Sequence, residues 1–431
     1  MMPSTLRHQP HTWSDDPGDL SSLSDEVIQV GPAALSSMMK LIERGLAMGE
    51  GFSGGSEYTG LAGIAHAYLH LYESLTTISA SHRGRQSQAL QMLAASQASL
   101  LSKAAKMAEL ARAHPERTSF LEGMPGILCI RAAAYKALGQ EDRARETAQE
   151  VRRWDGPAQR MPPGEDELLY GRAGYLYSLL FLHKHIEPMT DAAPVVHKLM
   201  EQILHDGRRH PLAAEYGGLM YSWHGTAYLG AAHGLAGILH TLALALKQFP
   251  TGSLSADREW AALITRSTLA LVDHAFPSGN LPSSHGSDTD KLVHWCHGAV
   301  GLLPLLLEVE GLCTAAEKEK VHAAAEKAGH VIWERGLLLK GPGLCHGVSG
   351  NAYALLSAYR KTQDARYLMR STRFALWLAE HWQELCNHAD RPLSLFEGIS
   401  GAVYLWADVL ALHTSAAEQK LDKVYFPGYE I

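Results

Sequence analysis

Two short stretches carry residues able to do chemistry together: HWCHGAVG, from His294 to Gly301, and LCHGVSG, from Leu344 to Gly350. Each sets a cysteine directly before a histidine and a glycine, and thiolates beside imidazoles are the donor set that suits Zn²⁺. Three protein ligands with a fourth position open is the pattern of a catalytic rather than a structural zinc site. The ligands here would come from segments far apart in the chain, unlike the closely spaced ligands of a small zinc module. The competing reading makes Cys296 and Cys345 small buried hydrophobes and the histidines satisfied core groups. What separates the two readings is whether the stretches occupy equivalent places in the fold.

They do so as members of a longer series. G-x-x-G followed by an apolar run occurs seven times, with first glycines Gly60, Gly123, Gly171, Gly234, Gly298, Gly347 and Gly398, spaced 48 to 64 residues apart. Between the copies lie amphipathic segments such as QALQMLAASQASLLSKAAKMAELARAH and TAAEKEKVHAAAEKAGHVIWERG, with apolar residues at helical spacing and charges opposite. Strand signals are scarce. Each repeat therefore predicts one outer amphipathic helix and one inner apolar helix that begins at the glycines. Seven such pairs bury their inner helices by closing into an all-α fold, an α/α toroid of seven inner and seven outer helices. An open solenoid would need polar end repeats, and the first and last copies are as apolar as the rest. Glycine at both positions fits a place where no Cβ can be accommodated or where the turn needs positive φ.

In register, the position before the first glycine reads Thr59, Glu122, Tyr170, His233, His297, His346 and Glu397, and the position before that includes Cys296 and Cys345 in neighbouring repeats. Two cysteines and up to three histidines would thus converge at one end of the inner helices.

The rest of the composition narrows the class. The chain has 431 residues and a net charge of −7, with its lysines and arginines scattered, which leaves no electrostatic footprint for nucleic acid. Five widely spaced cysteines do not form a disulfide framework and fit a reducing compartment. The N-terminus has neither an apolar signal core nor a glycine at position 2, so secretion and myristoylation are not indicated. The expected location is the cytoplasm, with peripheral attachment to membranes left open. Tyr228–Leu246 carries no charged residue and is long enough to suggest a membrane span, but its histidines and glycines favour a helix buried in protein. Residues 1–26 are expected to form a flexible tail, and residues 27–431 a single domain.

HWCHGAVG, GLCHGVSGNAYALL, GAAHGLAG, LYGRAGY, FPSGNLP and SLFEGISG together resemble the signatures of the lanthionine synthetase C-like proteins of eukaryotes, relatives of the bacterial lantibiotic cyclases. The resemblance runs from about Glu57 to Leu410. It implies one zinc ion held by Cys296, Cys345 and His346, with His297 not ligating although it fills the equivalent slot. His233 matches the histidine assigned as general acid or base. Glu167 matches an acidic residue ahead of the third glycine pair, while Arg172 and Lys340 stand where relatives carry basic residues near the site. Val300 departs from the proline usual after the first cysteine motif.

The chemistry implied is addition of a thiol, glutathione in the eukaryotic branch, to dehydroalanine or dehydrobutyrine in proteins or peptides. An ordinary thiol, with a pKa near 8.5, is mostly protonated at neutral pH, and zinc favours its thiolate. His233 would protonate the α-carbon after attack; Arg172 and Lys340 would hold a carboxylate of the tripeptide. Two other toroidal enzyme classes fit less well. Protein prenyltransferases use an aspartate at zinc, and a glycosidase with Glu122 and Glu397 as its acid pair would leave the cysteines idle. A non-catalytic adaptor that binds glutathione or protein and retains zinc for stability is the alternative outside enzymology.

Overall fold

A computed structural model describes residues 7–81, 88–414 and 421–431. Among them the regular structure is helical, and β pairing is confined to three isolated bridges. Every glycine pair opens a helix at the residue after its first glycine: Leu61–Ser81, Met124–Ala137, Arg172–His185, Leu235–Gln248, Ala299–Val309, Val348–Thr362 and Ile399–Thr414. These inner helices are apolar because they are enclosed; every residue of Ala299–Val309 is buried, as is every residue from Leu235 to Leu246. A helix that is apolar all round has no solvent face.

The second glycine of each pair has one cause, seen in all seven repeats. A Cβ there would lie between 1.7 and 2.5 Å from the carbonyl oxygen six residues earlier, for example 1.7 Å from Phe120 O at Gly126, 1.8 Å from Leu344 O at Gly350 and 1.9 Å from Ala231 O at Gly237. The loop that enters each inner helix folds back over its first turn, and the contact is with backbone, which cannot swing aside. Positive φ explains little: within the seven pairs only Gly298, at φ 130°, needs it.

The outer helices are Leu20–Met48, Gln97–Leu110, Glu141–Val151, Ala193–Arg209, Leu254–Asp273, Ala315–Arg335 and Ala365–Cys386. Their pattern is one-sided. Ala193–Arg209 buries Val196, Leu199, Met200, Ile203 and Leu204, a stripe at the 3-and-4 spacing of a single helix face. Ser253 and Asp364 cap two of these helices by accepting from the backbone N–H of Ala256 and Arg366. The segment read as one amphipathic helix from residue 88 is two, Gln88–Ala95 and Gln97–Leu110, broken at Ser96, whose hydroxyl donates to the Leu93 carbonyl.

The chain forms two compact units. One contains the inner helices of repeats six, seven and one. Here Cys345 N–H donates to Phe396 O at 2.7 Å, and Phe396 N–H donates to Tyr58 O at 3.1 Å. The same position in three successive repeats is thereby stitched together, and the last repeat is joined to the first, which an open solenoid would keep apart. The other unit contains the inner helices of repeats two to five, with Phe120 N–H donating to Gly174 O at 3.0 Å and Ala231 N–H to Trp295 O at 3.4 Å. Its interior also takes in the C-terminal residues: Tyr429 is fully buried and donates to Gly301 O at 2.6 Å, and Tyr177 donates to Glu430 O at 2.7 Å.

Two expectations about the ends of elements change. The tail expected before Val27 is packed from its first described residues. Val27 is itself fully buried, within the helix Leu20–Met48. His11 stacks on Trp13 with ring centroids 4.5 Å apart and bonds the Trp333 carbonyl at 2.8 Å; Asp15 pairs with Arg370; and Gln9 N–H donates to Leu337 O at 2.8 Å. Aromatic burial and a carboxylate–guanidinium pair anchor a segment whose composition reads as polar. The apolar stretch from Tyr228 divides at Gly234, and only Leu235–Gln248 is helical; no helix among the described residues is long and apolar enough to cross a membrane.

Candidate functional site

His233 stands two residues before the helix Leu235–Gln248, at the position where each repeat presents the residue ahead of its first glycine. Its Nδ1 lies 3.0 Å from Glu167 Oε2, and its side chain is only 15% exposed. Glu167 is fixed in turn: its two carboxylate oxygens accept from Leu169 N–H at 2.7 Å and Tyr170 N–H at 2.5 Å. A carboxylate with its lone pairs so occupied accepts the Nδ1 proton and leaves Nε2 as the chemically free nitrogen. Trp223 lies flat against the His233 ring, 3.8 Å between centroids and 3° between planes. Tyr228 sits between two histidines of the series, 6.0 Å from His233 and 5.5 Å from His297.

Cys296 is buried in the same unit, and its loop is held by a residue of the FPSGNLP stretch. Asn280 is 1% exposed; its Oδ1 accepts from Ala299 N–H at 2.8 Å, while its Nδ2 donates to Asp290 Oδ1 at 2.8 Å and Leu292 O at 3.1 Å. The side chain thus satisfies one of the N–H groups left over at the start of the helix that follows Cys296. Gly230 lets that loop come close, because a Cβ on it would be 2.0 Å from Cys296 O.

Cys345 and His346 are buried at the start of the helix Val348–Thr362, near Lys340 and Glu397. Burial alone would lower the His346 pKa, but the Cys345 thiolate and its hydrogen bond more than offset this and hold it above the ordinary histidine range. Burial likewise pushes Glu397 above the usual carboxylate range, with His346 opposing. Gly343 repeats the role of Gly230, a Cβ there falling 2.5 Å from the Glu397 and Phe396 backbone.

Among the described residues, one ligand atom from each of His346, Asp390 and Glu397 lies within 4.8 Å of the others, a group of the kind that can hold a metal ion. Cys345 is adjacent to His346 in the chain, and Cys296 holds the equivalent position in the preceding repeat. Lys340 is exposed, and its charge is felt at both His346 and Glu397.

Arg172 is placed differently from expectation. It is 2% exposed and committed to structure: Nη1 donates to Asp166 at 2.7 Å and to Asp206 at 3.3 Å, and Nη2 donates to Met161 O at 2.5 Å. A guanidinium so occupied braces the loop that carries Glu167 and has no fork left for a substrate carboxylate. Burial pushes the Asp166 carboxyl up to about 7 even with that cation beside it. Arg172→Met is therefore expected to cost folding stability, roughly 3–5 kcal/mol for a broken buried pair, read as a lower urea midpoint. The KM for the thiol substrate stays unchanged in the folded fraction; a raised KM with unchanged stability would restore the substrate-binding role.

Sequence reasoning passed over Trp223, which lies outside the glycine series. The signal for it was the dipeptide His224–Gly225, a turn pair in which both residues adopt positive φ, at 48° and 78°. It passed over the use of Asn280 as a cap, although the FPSGNLP stretch itself stood out. It also missed that Glu122 is already paired, accepting from Arg117 Nη1 at 2.6 Å, so that residue is not a free acid for glycoside chemistry.

Comparison with known proteins agrees with this architecture. The family model described as lanthionine synthetase C-like protein matches residues 51–422. The glutathione S-transferase LANCL1 of Danio rerio is 34% identical over 384 residues, covering 87% of each chain. The LanC-like protein GCL1 of Arabidopsis thaliana is 35% identical over 336 residues, 75% of this chain and 73% of its own. Among solved structures, nisin cyclase superposes with a TM-score of 0.59 at 15% identity, over 88% of this chain and 97% of its own. That likeness shows the fold, the all-α toroid class expected from the sevenfold glycine series. With a family model spanning most of its length and relatives at this level of identity, the chain belongs to the lanthionine synthetase C-like family.

Proposed function

We propose that the protein binds one zinc ion through Cys296, Cys345 and His346 and adds the thiol of glutathione to dehydroalanine or dehydrobutyrine residues in peptides or proteins. The observation that carries this reading is the register of the glycine series, which sets Cys296 and Cys345 at the same position of neighbouring repeats, each followed by a histidine, and in which the family resemblance singles out His346. Two soft donors and one borderline donor fit Zn²⁺, and three protein ligands leave room for a fourth. It is supported by a relative named a glutathione S-transferase and by likeness to a cyclase.

When bound, zinc supplies stabilisation of a thiolate at neutral pH. The chain's own residues do the rest. The glutathione sulfur forms a bond to the β-carbon of the dehydro residue, and the double-bond electron pair moves toward the α-carbon and its carbonyl. The proton lost by the thiol is balanced by one delivered to the α-carbon, so the product is the simple adduct. His233 takes up a proton at Nε2, balancing the one the thiol loses, and delivers it from there to the α-carbon, because Nδ1 is engaged by Glu167 and the ring is held from rotating away. Lys340, exposed and close enough in charge to act on His346 and Glu397, attracts a carboxylate of the tripeptide.

The test is turnover. Zinc-loaded protein mixed with glutathione and a dehydroalanine peptide is expected to yield a product heavier than the peptide by one glutathione, at a rate that Cys345→Ala abolishes. No adduct from zinc-loaded protein under saturating glutathione would sink the enzymatic reading and leave a zinc-stabilised binding protein.

A further inference from the structure

We infer that Trp223 is a positioning residue for His233, and that the tight turn from Trp223 to Thr226 exists to press it there. The inference rests on the proposed role of His233 as proton donor. One hydrogen bond, from Nδ1 to Glu167, fixes an imidazole edge but leaves the ring free to pivot about that bond. A flat partner on one face removes the pivot. Trp223 supplies it at 3.8 Å and 3°, and Tyr170 lies in a nearly parallel plane 6.0 Å from both rings. Among the described residues Nε2 of His233 has no hydrogen-bond partner, so edge and face constraints together aim a nitrogen that is left open for chemistry.

The indole is itself anchored. Trp223 and Thr226 exchange backbone hydrogen bonds at 2.9 and 3.0 Å, with His224 and Gly225 both at positive φ, the geometry of a type I′ turn. A histidine in that conformation is strained, and such strain persists only where surrounding contacts enforce it. Ser222, just before the indole, bonds His210 Nε2 at 2.8 Å. After the turn, Leu229 N–H donates to Ser283 O at 3.1 Å and His285 N–H donates to Ala227 O at 2.8 Å. The paired segment runs back to Asn280, the cap of the helix that follows Cys296. One strap therefore carries both the wall behind His233 and the support of the Cys296 loop.

The test compares Trp223→Ala with Trp223→Phe. The alanine variant is expected to lose about 10–100-fold in kcat for glutathione addition, since misplacement on the ångström scale costs that much, with KM for glutathione and zinc content unchanged. Phenylalanine, which keeps a flat face, is expected to recover most of the loss. A second readout does not depend on turnover: the ¹⁵N signals of the His233 ring, assigned by their disappearance in His233→Gln, should report one fixed Nδ1–H tautomer in the native protein and an averaged ring in Trp223→Ala. If the alanine variant does not fold, Trp223→Leu keeps the apolar bulk without the flat face and is read in the same way. An alanine or leucine variant with kcat within twofold of native and unchanged His233 signals would overturn the inference. If the native protein shows no turnover, the proposed reaction fails and the ring signals alone decide the role of Trp223.

Discussion

Cys345→Ala abolishes stoichiometric zinc in the purified protein, and chelator competition shows the residual affinity lowered by more than the ~10–100-fold that loss of a supporting residue behind a ligand typically costs. Cys296→Ala does the same. The expectation follows from the donor count: with Cys296, Cys345 and His346 as the proposed ligands, removing one sulfur leaves one thiolate and one imidazole, too few to hold the ion against a competing chelator. His297→Ala, by contrast, keeps full zinc. That pairing makes the experiment decisive, because Cys296 and His297 are adjacent on one loop and a merely structural disturbance of that loop would affect both. Zinc lost from His297→Ala but retained by His346→Ala would reverse the assignment.

The second large effect is expected at His233. His233→Ala lowers kcat for adduct formation by roughly 10²–10⁴-fold, the range for a missing general acid, and leaves zinc content and the urea midpoint unchanged. Glu167→Gln produces a smaller loss, because the amide keeps the shape of the carboxyl but its single oxygen cannot accept from both the Leu169 and Tyr170 N–H groups, which weakens the hold on the Nδ1 proton without removing the imidazole. In D₂O the native product carries one deuterium at the α-carbon, and the His233→Ala product carries it with its stereochemistry scrambled. An alanine variant with native kcat would remove the proton-donor role.

The helices and their starting residues were legible in the sequence because one steric demand is repeated. The pairs from Gly60–Gly63 to Gly398–Gly401 mark places where a carbonyl presses on the first turn of an inner helix, and a pattern enforced by backbone contact survives as a readable period. The candidate donors Cys296 and Cys345 share a fixed offset from those glycines, but His233, His297 and His346 share the next one, so the period alone leaves the third donor open and only the family resemblance singles out His346. What lay off the period was not legible. Trp223 reaches His233 through a turn between repeats, Asn280 reaches the Ala299 N–H from 19 residues away, and His11 and Asp15 find Trp333 and Arg370 more than 300 residues along the chain. Nothing local in the sequence states such partners. Arg172 shows the opposite failure: its position in the series suggested chemistry, and only the placement of Asp166 and Asp206 shows it to be occupied.

The contact between each second glycine and the carbonyl six residues earlier makes the entry to every inner helix self-templating. The loop's shape is set by its own backbone, so the side chain one step before the first glycine is mounted in a socket that does not depend on what fills it. Threonine, glutamate, tyrosine and histidine all occupy that socket across the seven repeats without any change in where the following helix begins. Reactive groups can therefore be exchanged at seven equivalent helix entries without altering the backbone that carries them.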